Sequence, residues 1–244
     1  MKVWYCHHSG VAVKTQRNLL LFDLFGEALE PKEGQGLQQG YFDPKEAEDQ
    51  NTIVFVSHEH EDHFDPRIFS FRDKIKRIEY ILPEELDEIF SPAVFVHPHM
   101  QVNLPDCRIT TLDSTDIGVA YLVETDGKLI YHAGDLNRWH WEGEEEAFNK
   151  DQELRYRREM EYLAKQLDGR EIDLAFVPLD PRQEENCILG LQELLCHVRV
   201  KQVVPIHFWG DFTADRYLKG KEFPTKIVMP KTRGELILPE ETGR

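Results

Sequence analysis

The chain has 244 residues, 41% of them hydrophobic, and a formal net charge of −16 at pH 7. That is enough apolar material for one layered domain spanning residues 1–244. The acidic balance makes nucleic acid an unlikely partner, since phosphate backbones call for a Lys/Arg footprint, and no stretch reaches the ~20 apolar residues of a membrane span.

Residues 2–6, 11–14 and 18–22 run or alternate apolar and are broken by His7-His8-Ser9-Gly10 and Thr15-Gln16-Arg17, which predicts an opening β-meander. His8 reads as a hydrogen-bonded turn histidine outside any ligand set, and Asp23, ending the third strand, as a residue that fixes a neighbouring ligand or loop. From Glu30 to Asn51 the chain turns to glycine, proline and many Glu, Gln and Lys. This long loop predicts either a lid over Gly36–Phe42, with Tyr41 and Phe42 facing substrate, or a solvated insertion.

Ile53-Val54-Phe55-Val56 reads as a buried strand, and Ser57-His58-Glu59-His60-Glu61-Asp62-His63 leaves its end. Four candidate metal ligands, His58, His60, Asp62 and His63, crowd into that loop. Imidazoles and a carboxylate suit Zn²⁺, and also Fe or Mn.

Asp65-Pro66 predicts the start of a helix to about Lys76, followed by strands at 77–82 and 93–96 around a short acidic helix at 83–90. His97-Pro98-His99 reads as a turn with surface histidines. Three strands are expected at 108–112, 119–124 and 128–132, the last two joined through Thr125-Asp126-Gly127. Beyond Asp135, Trp139 and Trp141 suggest a pocket wall, with Arg138 or His140 meeting a polar substrate group. A helix over 144–168 and a strand over 172–177 follow. Arg182 then either clamps a carboxylate or phosphate or fixes its own loop through Asp180. A helix at 184–197, a strand delivering His207 and two short tail strands complete the chain. Cys6, Cys107, Cys187 and Cys196 form no C-x-x-C pair, and no signal peptide is evident, so reduced packing cysteines in a cytoplasmic protein are expected.

The segment 57–63 resembles the metallo-β-lactamase superfamily, whose motif is H-x-H-x-D-H. More narrowly, the chain is similar to the branch of metal-dependent hydrolases around L-ascorbate-6-phosphate lactonase. The resemblance continues through Tyr131-His132-Ala133-Gly134-Asp135 and Pro205-Ile206-His207-Phe208. It implies an α/β (α+β) fold, a four-layer αββα sandwich, with one or two Zn²⁺ at a sheet edge and Mn²⁺ or Fe²⁺ as alternatives. By the same resemblance, His58 and His60 would hold one metal, Asp62, His63 and His207 the other, and Asp135 would bridge ions roughly 3.5–4 Å apart. Most dinuclear members carry a further His where this chain has Thr111–Gly118. Asp113 is the nearest substitute, with Asp116, a water or an empty position as alternatives.

The implied activity is metal-dependent hydrolysis of a small anionic ester, lactone or phosphodiester by a hydroxide whose pKa the metal lowers toward ~7. Asp62 would orient that nucleophile, and His132 and His140 are candidates for the general acid. The alternatives are a nuclease similar to the tRNA 3′-processing endonuclease, which the acidic surface disfavours, and a non-catalytic metal-binding sensor or scaffold. The charge leaves the oligomeric state open.

Overall fold

The apolar runs alternate between two buried faces, so they pair edge to edge and stack face to face. A computed structural model describes residues 1–89 and 91–238. In chain order its strands begin with β1 (Lys2–His7), β2 (Gly10–Lys14), β3 (Asn18–Phe22), β4 (Asn51–Phe55), β5 (Arg77–Pro83) and β6 (Val94–Val96). The second half adds β7 (Gln101–Leu104), β8 (Cys107–Asp113), β9 (Val119–Thr125) and β10 (Lys128–His132). Helix α1 (Glu146–Leu167), β11 (Leu174–Pro178), α2 (Leu189–His197), β12 (Gln202–Ile206), β13 (Lys226–Ile227) and β14 (Leu236–Ile237) follow.

Among the described residues these strands make two seven-stranded sheets, ordered β14-β1-β2-β3-β4-β5-β6 and β13-β12-β11-β10-β9-β8-β7. The pairing repeats between them. In the first, β14 through β3 are antiparallel and β3 through β6 parallel. In the second, β7 through β10 are antiparallel and β10 through β13 parallel. Alternation sets the layers. Ile53 and Phe55 of β4, with Leu174 and Phe176 of β11, fill the core between the sheets. Val54 faces outward on the first sheet, while Ala175 and Val177 meet α1 and α2 on the second. Each fully buried Leu or Phe in such a core stabilises it by roughly 1.5–3 kcal/mol.

The expected αββα sandwich is present as two mixed sheets with helices outside them, and the two outer layers differ. Over the second sheet lie α1 and α2, whereas the first is covered by 3₁₀ turns, including Gly26–Leu29, Leu37–Gln39, Pro44–Ala47 and Pro66–Asp73. The helix expected to reach Lys76 is thus a 3₁₀ segment. Asp65 caps its start by accepting from the Arg67 N–H at 2.9 Å, and Ser70 Oγ donates to the Arg67 carbonyl at 2.7 Å, competing with the α-helical ladder. The acidic helix expected at 83–90 is a turn at Glu84–Leu86, and Phe90 lies outside the described residues. The helix expected at 184–197 is instead a 3₁₀ segment, Pro181–Ile188, kinked at Glu184 (φ 51°, ψ −128°), that runs into the shorter α2. Strand β7 was not expected.

Residues 36–42 form no lid over the cleft lined by Asp62, Asp135 and His207, and Tyr41 and Phe42 do not face it. Phe42 is buried against Phe71, ring centroids 4.9 Å apart, under the outer face of the first sheet. Tyr41 lies beneath the Arg233 guanidinium, 4.6 Å away. An apolar residue in a polar loop found a core instead of a ligand. All four cysteines are free thiols, and burial pushes Cys6, Cys107 and Cys187 up to about 12. Among the described residues no helix is long and apolar enough to cross a membrane.

Candidate metal centre

Loops leaving the carboxyl ends of β3, β4, β10, β11 and β12 converge at one edge of the sandwich with the β1–β2 turn, and open α/β sheets bind ligands at such strand ends. Ser57 is the pivot. Gly118 and Gly134 press against it so closely that a Cβ on either would fall 2.1 Å from the Ser57 carbonyl oxygen or 2.6 Å from its Cβ. The two glycines therefore let the β8–β9 and β10 loops pack directly on the segment that carries the histidines.

Two groups of donors result. Ligand atoms of His8, Asp62, His63 and His207 lie within 4.8 Å of one another, and so do those of His58, His60, Asp116 and Asp135. Asp135 faces both. Its Oδ1 is 3.1 Å from His63 Nε2 and 3.2 Å from His207 Nε2, and its Oδ2 is 3.6 Å from His58 Nε2.

Carboxylates behind the rings fix their orientation. Asp23 accepts from the Ser57 N–H at 2.7 Å, from Ser57 Oγ at 2.7 Å and from His63 Nδ1 at 2.8 Å. His58 Nδ1 lies 2.9 Å from Ser57 Oγ, and His207 Nδ1 lies 3.2 Å from Asp180 Oδ2. With protons on these Nδ1 atoms, the Nε2 lone pairs of His58, His63 and His207 all point toward Asp135. The backbone bends to allow it: His8, Asp23, His207 and Trp209 take φ values of 50°, 45°, 59° and 52°. Such left-handed conformations cost about 1–3 kcal/mol each and gather at functional sites.

The donor chemistry fits a metal pair. The Nε2 atoms of His8, His58 and His63 and Asp135 Oδ1 are buried and make no well-formed hydrogen bond. Each such atom costs about 1–3 kcal/mol when unpartnered, and divalent ions would satisfy them together. Electrostatics point the same way. Burial opposes charge on His207, but Asp135 and Asp180 override it and hold its pKa up at about 9. Asp135 is pulled well below the usual carboxylate range, against its burial, by His207 and His63. His8 and His58 are lowered to about 4, chiefly by burial, so they stay neutral lone-pair donors at neutral pH. Asp116 is raised by burial and by Asp135, as expected of a carboxylate short of a cation.

His58, His60, Asp62, His63, Asp135 and His207 all fall within the two donor groups. Asp113 does not. It still belongs to β8, paired with Val119, and its N–H donates to Glu159 Oε2 at 3.0 Å. Asp116, at the tip of the following turn, stands 3.8 Å from His60 Nδ1 instead. His8, read as a turn histidine, joins a donor group. Its carbonyl accepts the His207 N–H at 3.2 Å, tying the two loops. His132 is also misplaced for acid catalysis. It is fully buried, stacked on Phe22 at 4.8 Å, with Nε2 2.9 Å from the Ser9 carbonyl oxygen and Nδ1 accepting the Gly134 N–H. Asp23 takes the supporting role expected of it.

A cleft of ≈ 320 Å³ opens onto Asp62, Asp116, Asp135, His60 and His207, walled by Trp139, Trp141 and Trp209 with Arg182 at its rim. Arg138 is turned away, paired with Glu153 and Glu193, and His140 does not line the cleft. A larger hollow, ≈ 430 Å³ beside Trp4 and Lys14, contains none of the donors.

No protein-family model matches the sequence, and no curated protein matches it. Solved structures do match. Igni18, a metallo hydrolase from Ignicoccus hospitalis, superposes over 97% of this chain and 97% of its own at a TM-score of 0.66 and 17% identity. YhfI from Bacillus subtilis, a metallo-β-lactamase fold protein, covers 97% of this chain and 99% of its own at 0.59 and 12%. CmlA, a diiron β-hydroxylase from Streptomyces venezuelae, matches 93% of this chain with 52% of its own at 0.60 and 11%. With its paired mixed sheets and its donors at their shared edge, the chain has the metallo-β-lactamase fold.

Proposed function

We propose that the protein is a metal-dependent hydrolase of a small anionic ester, lactone or phosphodiester, with Zn²⁺ the first candidate cofactor and Mn²⁺ or Fe²⁺ the alternatives. The observation that carries this reading is Asp135, one carboxylate facing both donor groups. His8, Asp62, His63 and His207 would hold one ion, and His58, His60 and Asp116 the other. When bound, the ions supply Lewis-acid chemistry, making water nucleophilic near neutral pH and polarising the group attacked.

The chain's own residues do the rest. Asp23 and Asp180 keep the ring nitrogens aimed. Asp62, 25% exposed at the cleft, presents a carboxylate held below its ordinary pKa, against partial burial, by His8 and His63, so it stays ionised and can orient a water by accepting its hydrogen bond. The indole walls limit solvent access.

Elemental analysis of untagged protein purified without chelator tests the donor set. Wild type and Asp113→Ala should carry two ions and Asp116→Ala one; two ions in Asp116→Ala would remove Asp116 from the site. Metal-loaded protein should then turn over at least one of a phosphodiester, a lactone and a thioester, and lose that activity in Asp62→Ala. Silence across the panel would favour a sensor or scaffold, and cleavage of RNA at a defined 3′ site a nuclease. Two imidazoles with two carboxylates in the His58 group also suit iron. Dioxygen consumption by the iron-loaded protein would support that second, oxidative reading.

A further inference from the structure

The cleft walls carry aromatic surface that holding metal does not require. Trp139 and Trp141 stack with centroids 5.9 Å apart and planes 8° from parallel. Trp209 remains 49% exposed although its ring lies 4.3 Å from His8 and 5.7 Å from His207. Trp139 is 5.5 Å from His207, so indoles from both walls reach the donor groups. Arg182 connects the walls, its Cζ 5.4 Å from the Trp141 ring and 4.6 Å from that of Trp209.

Asp180 holds the guanidinium from one side through Nε and Nη2. Nη1 has no partner among the described residues, and the side chain is 52% exposed. Arginine is suited to this placement because its planar, weakly hydrated head stacks on indoles while its free edge still donates to an oxyanion. Flat indole faces beside a flat guanidinium also reward a stacked ring over an aliphatic chain. Two bound dications would offset the four carboxylates Asp23, Asp62, Asp116 and Asp135, with Asp180 paired to Arg182, so the floor would no longer repel an anion.

The geometry points to a substrate with a planar aromatic ring, packed on Trp209 and the Trp139–Trp141 wall, and a phosphate or carboxylate that takes Arg182 Nη1. This deepens the hydrolase reading and rests on it for the reaction, though not for the binding.

The test is calorimetry and tryptophan fluorescence on the full-length, zinc-loaded protein with phenyl phosphate, cyclohexyl phosphate and benzyl alcohol. Phenyl phosphate should bind about three- to tenfold more tightly than cyclohexyl phosphate, the range set by aromatic pairing, and benzyl alcohol most weakly. Trp209→Leu should abolish the phenyl preference. Arg182→Gln should weaken both phosphates by about tenfold or more and leave the preference intact. Zinc content is measured for each variant, and Trp209→Leu keeps the test decisive if Arg182→Gln loosens Asp180 and loses metal. Equal binding of the two phosphates to wild type, or unchanged affinity in zinc-replete Arg182→Gln, would overturn the inference. The expected binding order without turnover of any ester would sink the hydrolase reading alone, whereas turnover with no aromatic preference would sink this one alone.

Discussion

Asp23→Asn probes how the donor rings are held. Asp23 is 1% exposed and uses both oxygens: Oδ1 accepts the Ser57 N–H, and Oδ2 accepts Ser57 Oγ and His63 Nδ1. Burial alone would raise its pKa, but the His63 hydrogen bond leads the interactions that hold it below the ordinary value. Asparagine keeps the shape and one acceptor while replacing the other with a donor. If the amide nitrogen faces Ser57 N–H, two buried donors oppose each other. If it faces His63, the imidazole must move its proton to Nε2, the atom 3.1 Å from Asp135. Hydrogen bonds to a charged group contribute about 1.5–3 kcal/mol each, so the first arrangement should cost about 2–4 kcal/mol of stability. The second should lower metal affinity about 10–100-fold, as loss of an outer carboxylate does at other metal sites. Urea unfolding of chelator-treated protein at pH 7 and competition with a chromophoric chelator measure the two losses. A variant within about 1 kcal/mol of wild type and within twofold in zinc affinity would refute this account of Asp23.

Further outcomes follow for the metal-free and zinc-loaded protein. In metal-free protein, His8 and His58 sit near pKa 4 against an unfolded value of 6.5, so stability falls as pH drops from 6.5 toward 4, by up to about 3 kcal/mol for each. His207, raised to about 9, contributes stability that is full below 6.5 and is lost as pH rises through 9. Urea midpoints of chelated protein should therefore fall on both sides of about pH 6.5, and a midpoint rising steadily toward pH 4 would contradict these assignments. Zinc at 100 times its Kd should add about 2.7 kcal/mol per site. Gly118→Ala places a Cβ 2.1 Å from the Ser57 carbonyl oxygen at φ +73°, whereas Gly127→Ala, at φ +68°, meets nothing within 4 Å. Calorimetric melting should show about 1–2 kcal/mol of strain for Gly127→Ala and clearly more for Gly118→Ala, with metal loss only in the latter.

The sequence by itself determined the stretch where donors gather and every strand but β7. A buried strand is local chemistry, and the runs before Ser57, Asp135 and His207 are short, continuous and rich in β-branched and aromatic residues, which marks strands covered on both faces. The ligand motifs were legible because several donors sit within one turn. Tertiary structure decided everything that needed two distant segments to meet. Asp116 rather than Asp113 stands with the His58 donor group because the register of β8 with β9 keeps Asp113 in the ladder and puts Asp116 at the turn. His8 enters a donor group because the β1–β2 turn hydrogen-bonds to the loop after β12, nearly two hundred residues away in sequence. Phe42 joined a core because the first sheet's outer face lacked a helix to cover it. His132 turned inward for a similar reason: at the end of a central strand its ring falls between the sheets, beside Phe22 and Phe176, where packing rather than chemistry claims it. Spacing along a chain states which donors are available; the direction in which each points is fixed by register and by the closing of loops across the sheet edge.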